Sequence, residues 1–213
     1  MLYAKSQSTS PLDFIAQTAL PTREGSLITR SYRNAKTNHE PIAIIFGLDQ
    51  LRKRKQAIPV RIHDACFTSE VLGSLKCDCK QQLDYALHYL KENGGVLIYL
   101  HQEGRGIGLA NKIAAYALQE QGLDTVEANR ALHLPDDARE YHDAVAILQD
   151  LQITEIELLT NNPRKIEHLK TLGVQITRRI AIQVSSSDIA LPYLKAKAEQ
   201  MGHLLNIGKT SKS

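Results

Sequence analysis

The chain has 213 residues and a formal net charge of +3, from 26 Lys and Arg against 23 Asp and Glu. Its hydrophobic fraction of 43% is enough for a packed core, which excludes a disordered chain. No apolar run approaches the ~18–20 residues of a membrane span, and the N-terminus shows no secretory signal. We therefore predict a cytoplasmic protein without a membrane partner. The charge is also far below the basic bias of nucleic-acid-binding domains, so we predict no nucleic-acid partner.

Residues 1–40 are polar and weakly patterned. We predict here an N-terminal extension that is partly flexible. After residue 40, short apolar runs alternate with amphipathic segments. The apolar runs predict five strands, over 42–46, 58–62, 96–100, 156–159 and within 174–184.

Helical periodicity fills the segments between these strands. One helix is predicted over 82–90, and the others start after Gly108, near Asp136 or Asp137, at Pro163 and at residue 193, the last ending at 205 before a polar tail over 206–213. The apolar face predicted for the helix after Gly108 consists of Leu109, Ile113, Tyr116 and Ala117. Strands alternating with helices predict a single α/β domain, with a mixed, partly parallel sheet and flanking helices.

All the cysteines of the chain, Cys66, Cys77 and Cys79, lie close together in the sequence. An odd number of cysteines without a secretory signal argues against a disulfide framework. Thiolates are soft ligands that suit Zn²⁺, so the cluster predicts a three-thiolate zinc site. The fourth ligand stays open between a histidine, which would close a structural site, and water, which a catalytic zinc would activate. Buried, reduced thiols without a metal are the simpler alternative.

Two segments between a strand and a helix suit an anion. The first reads Q-E-G-R-G-I-G over 102–108, where backbone N–H groups, a helix N-terminus and Arg105 could bind a phosphate. The alternative is a tight turn with a solvated arginine. The second reads T-N-N-P-R-K over 160–165, where Lys165 adds a point charge. Its alternative is an ordinary Asn-Pro helix start.

Three further residues have both a chemical and a structural interpretation. Asp137 is a candidate general base, although an aspartate at a helix start is more commonly a cap. Arg139 lies two residues further on. Tyr116 lies on the predicted apolar helix face, so a core tyrosine is its simpler interpretation.

Four motifs follow one another along the chain: C-x10-C-x-C, Q-E-G-R-G-I-G-L, D-T-V-E-A-N over 124–129, and L-T-N-N-P over 159–163. Together they resemble GTP cyclohydrolase II, which opens the guanine ring of GTP in the first step of riboflavin biosynthesis. The resemblance predicts a catalytic domain over 41–205. It implies release of formate and pyrophosphate, with 2,5-diamino-6-(5-phosphoribosylamino)pyrimidin-4-one as the product. It also implies one Zn²⁺ per chain, Mg²⁺ with the GTP phosphates, and a homodimer.

The resemblance also implies a role for individual residues. Three cysteines would hold the zinc, whose water would attack the guanine carbon near Tyr116. Asp137 would act as general base and Arg139 at the α-phosphate, although an arginine nucleophile is unusual because a guanidinium stays protonated. Gln82 would contact the base, and Glu103 to Arg105 would hold magnesium and phosphate. The complete set of implied GTP-binding residues is Arg61, Ile62, His63, Asp64, Ala65, Gln82, Glu103, Gly104, Arg105, Thr125, Thr160 and Lys165.

Three positions depart from the family pattern. Ala65, His101 and His133 stand where members usually carry Glu, Arg and Gly. None of them is an implied catalytic residue, but they leave two alternatives open. One is a relative that stops at the formylated pyrimidine or uses another nucleotide; the other is a non-catalytic GTP-binding module. His101 as a fourth zinc ligand would also prevent hydrolysis.

Overall fold

A computed structural model of the chain describes residues 11–22 and 25–184. The predicted helix over 193–205, the tail over 206–213 and the first ten residues lie outside the described part. The strands are β1 (Leu12–Thr22), β2 (Gly25–Asn34), β3 (Ile42–Phe46), β4 (Ile58–Asp64), β5 (Gly95–Leu100), β6 (Glu155–Leu159) and β7 (Gln175–Ile180). The helices are α1 (Leu48–Lys53), α2 (Phe67–Glu70), α3 (Cys79–Asn93), α4 (Leu109–Glu120), α5 (Thr125–Ala131), α6 (His142–Asp150) and α7 (Pro163–Thr171), with a 3₁₀ turn over Glu103–Gly106.

The seven strands form a single sheet in the order β1-β2-β3-β5-β4-β6-β7. The pairs β1–β2, β2–β3 and β3–β5 are antiparallel, whereas β5–β4, β4–β6 and β6–β7 are parallel. The predicted class, an α/β protein with a mixed and partly parallel sheet, is confirmed. The parallel half determines where a site can form, because loops that leave parallel strands meet at one edge of the sheet.

Packing on the two faces of the sheet follows the alternation of side chains along each strand. Val60 and Ile62 of β4 point into a large apolar cluster that also contains Ala144 and Ile147 of α6. On the opposite face, Leu97 of β5 packs with Ala86 and Leu90 of α3 in a second cluster. The helices therefore cover both faces, as the predicted alternation of strands and helices requires.

Within the N-terminal extension that was predicted to be partly flexible, residues 12–22 and 25–34 form the hairpin β1–β2 and continue the sheet beyond β3. Tyr32 is buried, and its hydroxyl donates to Asp150 of α6 over 2.7 Å. Asn34 donates to Asp143 of the same helix over 2.6 Å. The sequence pattern missed these strands because β1 is exposed along most of its length, so its residues do not alternate between apolar and polar.

Two helix predictions need correction. The helix expected from Asp136 or Asp137 begins only at His142, because the Asp137 carboxylate binds Arg139 instead of capping a helix. On α4, the predicted apolar face does not pack into the core: Leu109 and Ile113 are 38% and 48% exposed.

Gly95 allows β5 to pass close to β4. A Cβ atom at this position would lie 2.2 Å from the carbonyl oxygen of Pro59, and φ is +133°. We expect Gly95→Ala to lower the free energy of unfolding by about 3 kcal/mol or more, because overpacking and backbone strain act together.

The matched control is Gly122→Ala, whose φ is +103° but whose Cβ would meet nothing within 4 Å. Backbone strain alone predicts a loss of about 1–2 kcal/mol there. Urea denaturation of both variants measures how much free energy of unfolding each one loses. Equal losses would contradict the close approach of β5 to the Pro59 carbonyl.

Candidate active site

A cavity lies at the carboxyl ends of the parallel strands β4, β5 and β6. The predicted residues Ala65 and Cys66 follow β4, and the two predicted anion-binding segments, 102–108 and 160–165, follow β5 and β6. Open α/β sheets commonly bind ligands at this position. Of the predicted site residues, the following line the cavity: Arg61, His63, Asp64, Ala65, Cys66, Cys77, Cys79, Gln82, Glu103, Gly104, Arg105, Tyr116, Thr125, Arg139, Thr160 and Lys165.

Two predicted residues do not line the cavity. The side chain of Ile62 is fully buried in the apolar cluster on the other face of the sheet, and only its carbonyl oxygen reaches the site, where it accepts from Lys165 Nζ over 2.7 Å. The alternation along β4 explains this, since it places Arg61 and His63 on the face opposite Ile62. Asp137 lies behind the wall and reaches the cavity through Arg139.

Asp64, at the end of β4, binds two cations from distant parts of the chain. Its Oδ2 accepts from Arg139 over 2.9 Å and from Lys165 Nζ over 2.9 Å. Burial by itself would raise the pKa of Asp64, but Lys165 and Arg139 outweigh it and lower this pKa to about 2. Burial lowers the pKa of Lys165 to about 8, although Asp64 favours its charged form. The cavity wall thus holds a buried anion between two cations.

Arg139 also forms a bidentate pair with Asp137, with distances of 2.8 Å from Nε to Oδ1 and 2.5 Å from an Nη atom to Oδ2. Burial opposes ionisation of both side chains, yet the hydrogen bonds between them lower the pKa of Asp137 and raise that of Arg139. Both groups are therefore ionised in this arrangement. Asp137 orients the guanidinium and is a weak proton acceptor while the two bonds persist.

The three thiols form a compact group. Their Sγ atoms lie within 4.8 Å of one another, and Cys66 and Cys77 are 3.6 Å apart. Hydrogen bonds with Cys77 and Cys79, together with the Lys112 ammonium, lower the pKa of the Cys66 thiol. Among the described residues, the group here that could hold a metal ion consists of these three cysteines, and His101 does not belong to it.

Lys112 and Glu103 connect the thiol group to the glycine-rich loop. Lys112 Nζ lies 3.1 Å from Cys66 Sγ and 2.7 Å from Glu103 Oε1. The other oxygen of Glu103 accepts from the backbone N–H of Phe67 over 2.6 Å. Gly104 and Arg105 both have a φ near +60°. This sharp turn brings the loop against α4, since a Cβ at Gly104 would lie 3.1 Å from the Cβ of Lys112.

A chain of buried polar side chains extends from the end of β4. Arg61 donates to Nδ1 of His63 over 3.3 Å, so the other ring nitrogen, Nε2, carries the proton and donates to Glu70 over 2.9 Å. Burial lowers the pKa of His63, which keeps the ring neutral. Glu70 also accepts from the backbone N–H of Cys66 over 2.9 Å and from Tyr99 over 2.7 Å.

Other predicted residues complete the wall. Tyr116 lies beside two ammonium groups, with Lys76 Nζ 4.7 Å and Lys112 Nζ 5.8 Å from its ring centroid, so it is not a core tyrosine. Thr125 begins α5, and the hydroxyl of the buried Thr160 accepts from the backbone N–H of Asn162. The three departures are dispersed: Ala65 lines the cavity, exposed His101 contacts Tyr99, and His133 lies in a turn with a φ of +55°.

Sequence reasoning missed several polar residues of this region. The structure adds Glu70, Asp78 and Lys112 through the side-chain bonds that they make to the predicted residues His63, Gln82 and Glu103. For Asp78, its place between two cysteines was an available signal. Glu70 and Lys112 gave none, because charged residues on helices are ordinarily solvated.

A thiol cluster beside a cationic cavity defines a site that suits a metal ion and an anionic ligand. Comparison with known proteins agrees with this, since the GTP cyclohydrolase II family model matches residues 13–181. The GTP cyclohydrolase-2 of Picrophilus torridus is 45% identical over 91% of this chain and 99% of its own length. That of Acinetobacter baumannii (strain SDF) is 44% identical over 91% of this chain and 96% of its own length. The chain therefore belongs to the GTP cyclohydrolase II family.

Other relatives are longer. RibBA, a riboflavin biosynthesis protein of Chlamydia muridarum, is 44% identical over 92% of this chain and 46% of its own length. The chain thus spans about half the length of that relative. RibBX, a two-domain 3,4-dihydroxy-2-butanone 4-phosphate synthase from A. baumannii with a solved structure, has a TM-score of 0.44 and 18% identity, over 84% of this chain and 42% of that chain.

The helices of the described residues give no candidate for a membrane span, since none combines the necessary length and apolarity.

The pKa of Asp64 predicts how stability depends on pH. Because this pKa is about 2 in the folded state, below its ordinary value of 3.8, the carboxylate stabilises the fold above pH 4. We expect Asp64→Asn to lower the free energy of unfolding at pH 7 by about 2 kcal/mol, and the difference from the parent protein to narrow as pH falls from about 4 to 2.

Denaturant unfolding at several pH values measures this effect. Asp84→Asn is the control, because Asp84 is 55% exposed and forms its ion pair with Lys80 on the same helix. If the loss of unfolding free energy in Asp64→Asn does not depend on pH, the proposed pairing of the ionised Asp64 with Arg139 and Lys165 is contradicted.

Proposed function

We propose that the chain hydrolyses GTP as a GTP cyclohydrolase II, releasing formate and pyrophosphate and leaving 2,5-diamino-6-(5-phosphoribosylamino)pyrimidin-4-one. One observation carries the proposal: the three cysteine thiols and the cationic side chains Arg105, Arg139 and Lys165 line the same cavity. A substrate with a triphosphate at one end and a ring to be hydrolysed at the other needs both groups within one site.

The spacing of the cysteine sulfur atoms fits a zinc site. A zinc–sulfur bond of about 2.3 Å places the sulfurs of a tetrahedral site roughly 3.8 Å apart, and Cys66 and Cys77 are 3.6 Å apart. Cys66, Cys77 and Cys79 would hold the ion and leave one position open. When bound, zinc supplies Lewis-acid activation of a water molecule. Tyr116 lines the same cavity and would lie beside the base.

The cations would bind the triphosphate. Arg105, Arg139 and Lys165 line the cavity, and Asp64 and Asp137 hold the last two in place. Phosphate oxygens entering here would compete with these carboxylates for the guanidinium of Arg139. We propose that Arg139 acts at the α-phosphate and that Asp137 becomes available to accept a proton only when such competition loosens its bonds. Glu103 is the proposed magnesium contact.

The base would lie near Gln82, at the same side of the cavity as the thiols. A homodimer is also proposed, supported by the exposed apolar residues of α4 and of the segment after Cys66, which include Phe67, Val71 and Leu72. The names of two relatives support this activity: one is a GTP cyclohydrolase-2 and the other is a riboflavin biosynthesis protein. The cytoplasmic location stays a prediction.

The test is an assay of the zinc-loaded protein with GTP and Mg²⁺, with every product identified by mass spectrometry. We expect formate, pyrophosphate and the deformylated pyrimidine, and loss of turnover when a chelator removes the metal. Asp137→Asn should lower kcat at least 100-fold, because Arg139 loses the bidentate one of its two charged partners. Asp136→Asn is the matched control, since that neighbour is 42% exposed and its ion pair is a 3.7 Å contact with Arg130.

Each other outcome selects an alternative. A formylated pyrimidine would indicate a relative that stops before deformylation. Binding of GTP without turnover would indicate a non-catalytic module, and Asp137→Asn would then leave that binding unchanged. Intact and unbound GTP would direct the search to another nucleotide.

A further inference from the structure

The amide of Gln82 is held at both ends by groups of opposite hydrogen-bonding character. Its Nε2 donates to Asp78 Oδ2 over 2.7 Å, and its Oε1 accepts from an Nη atom of Arg61 over 3.0 Å. A carboxylate oxygen accepts hydrogen bonds, whereas a guanidinium only donates them. A rotated amide would therefore place N–H against N–H at Arg61 and oxygen against oxygen at Asp78. The two neighbours permit one orientation of the Gln82 amide.

Both neighbours are themselves firmly placed. Asp78 is 3% exposed and lies between two of the cysteines, immediately before α3. Arg61 is 6% exposed on β4, and its other Nη atom donates to the carbonyl oxygen of Leu159 on β6 over 3.1 Å. The pair Asp78 and Arg61 thus ties the orientation of Gln82 to the central strands of the sheet.

The fixed amide of Gln82 can still form hydrogen bonds with a ligand. A glutamine amide has two N–H donors and an oxygen with two lone pairs. Asp78 and Arg61 each use one of these, so one donor and one acceptor remain at defined positions on a residue that lines the cavity. A purine is distinguished by such a pair, because the group at position 6 is an acceptor in guanine and a donor in adenine.

We propose that Asp78 is a specificity-determining positioning residue, which together with Arg61 fixes the Gln82 amide so that the site distinguishes guanine from adenine. This inference rests on the proposed use of GTP and adds the device that selects the base. With a fixed amide, the donor that meets the oxygen of guanine would meet the amino group of adenine. Adenine would then leave buried polar groups unpaired, which is the strongest basis for rejecting an analogue.

The experiment compares GTP with ATP, by equilibrium dialysis and by kcat/KM, in the zinc-loaded protein. Asp78→Asn keeps the shape of the side chain but offers both a donor and an acceptor to Gln82, so that of the two neighbours only Arg61 still opposes rotation of the amide. We expect the preference for GTP over ATP to fall about tenfold or more. Asp84→Asn, on the solvent side of the same helix, should leave the preference unchanged.

A double-mutant cycle separates orientation from mere structural support. Gln82→Met removes the amide, and we expect Asp78→Asn to reduce the preference no further in that background, since Asp78 acts through Gln82. Additive losses in the two variants would overturn the proposal. So would an unchanged preference in Asp78→Asn that retains its zinc content and melting temperature.

If Asp78→Asn loses zinc or stability, Gln82→Met by itself tests the amide without a change between the cysteines. It removes the donor and the acceptor that the amide offers to the cavity, so loss of the GTP preference is expected and an unchanged preference would overturn the inference. The proposed function fails separately. Parent protein that binds GTP without turnover and still rejects ATP would refute the reaction and support the base-selecting device.

Discussion

The carboxylate of Asp64 holds the cationic half of the cavity together. It joins the end of β4 to Arg139, 75 residues away in sequence, and to Lys165, 101 residues away. Two buried cations at this place would repel each other without an anion between them, and burial would disfavour their charged forms. Because Asp64 pairs with both, Arg139 from an irregular segment and Lys165 from the start of α7 line the same cavity. The position of Asp64 depends in turn on the parallel pairing of β4 with β5 and β6.

Hydrogen bonds and an ion pair connect the part of the cavity that holds the three thiols to the rest of its wall. Lys112 reaches both Cys66 and Glu103, and Glu70 binds the backbone of Cys66 together with His63. These bridges mean that the cysteine cluster and the glycine-rich loop are not independent. Displacement of the glycine-rich loop, for example, would act on both through Glu103 and Lys112.

Much of the site was predictable from local sequence because each contributing segment carries a recognisable pattern. Three cysteines at close spacing, a glycine-rich turn after a strand and an Asn-Pro helix start each indicate their chemistry without knowledge of the fold. The Asn162 cap and Pro163 at the start of α7 are confirmed, since both act within one helical turn. The hairpin β1–β2 and the true start of α6 were not predictable in this way. The first is stabilised by pairing with β3 and contacts to α6, and the second depends on Asp137 binding Arg139 instead of a helix N-terminus.

The sequence by itself determined the α/β class, the chemical groups of the site and membership of the family, because periodicity and motif spacing are local properties of the chain. Only the tertiary structure decided which of these groups face one another. It joined Asp64 to Arg139 and Lys165, and it set Gln82 between Asp78 and Arg61. The physical reason is that such contacts depend on strand order and side-chain direction. These follow from long-range pairing in the sheet, and no short window of sequence contains them.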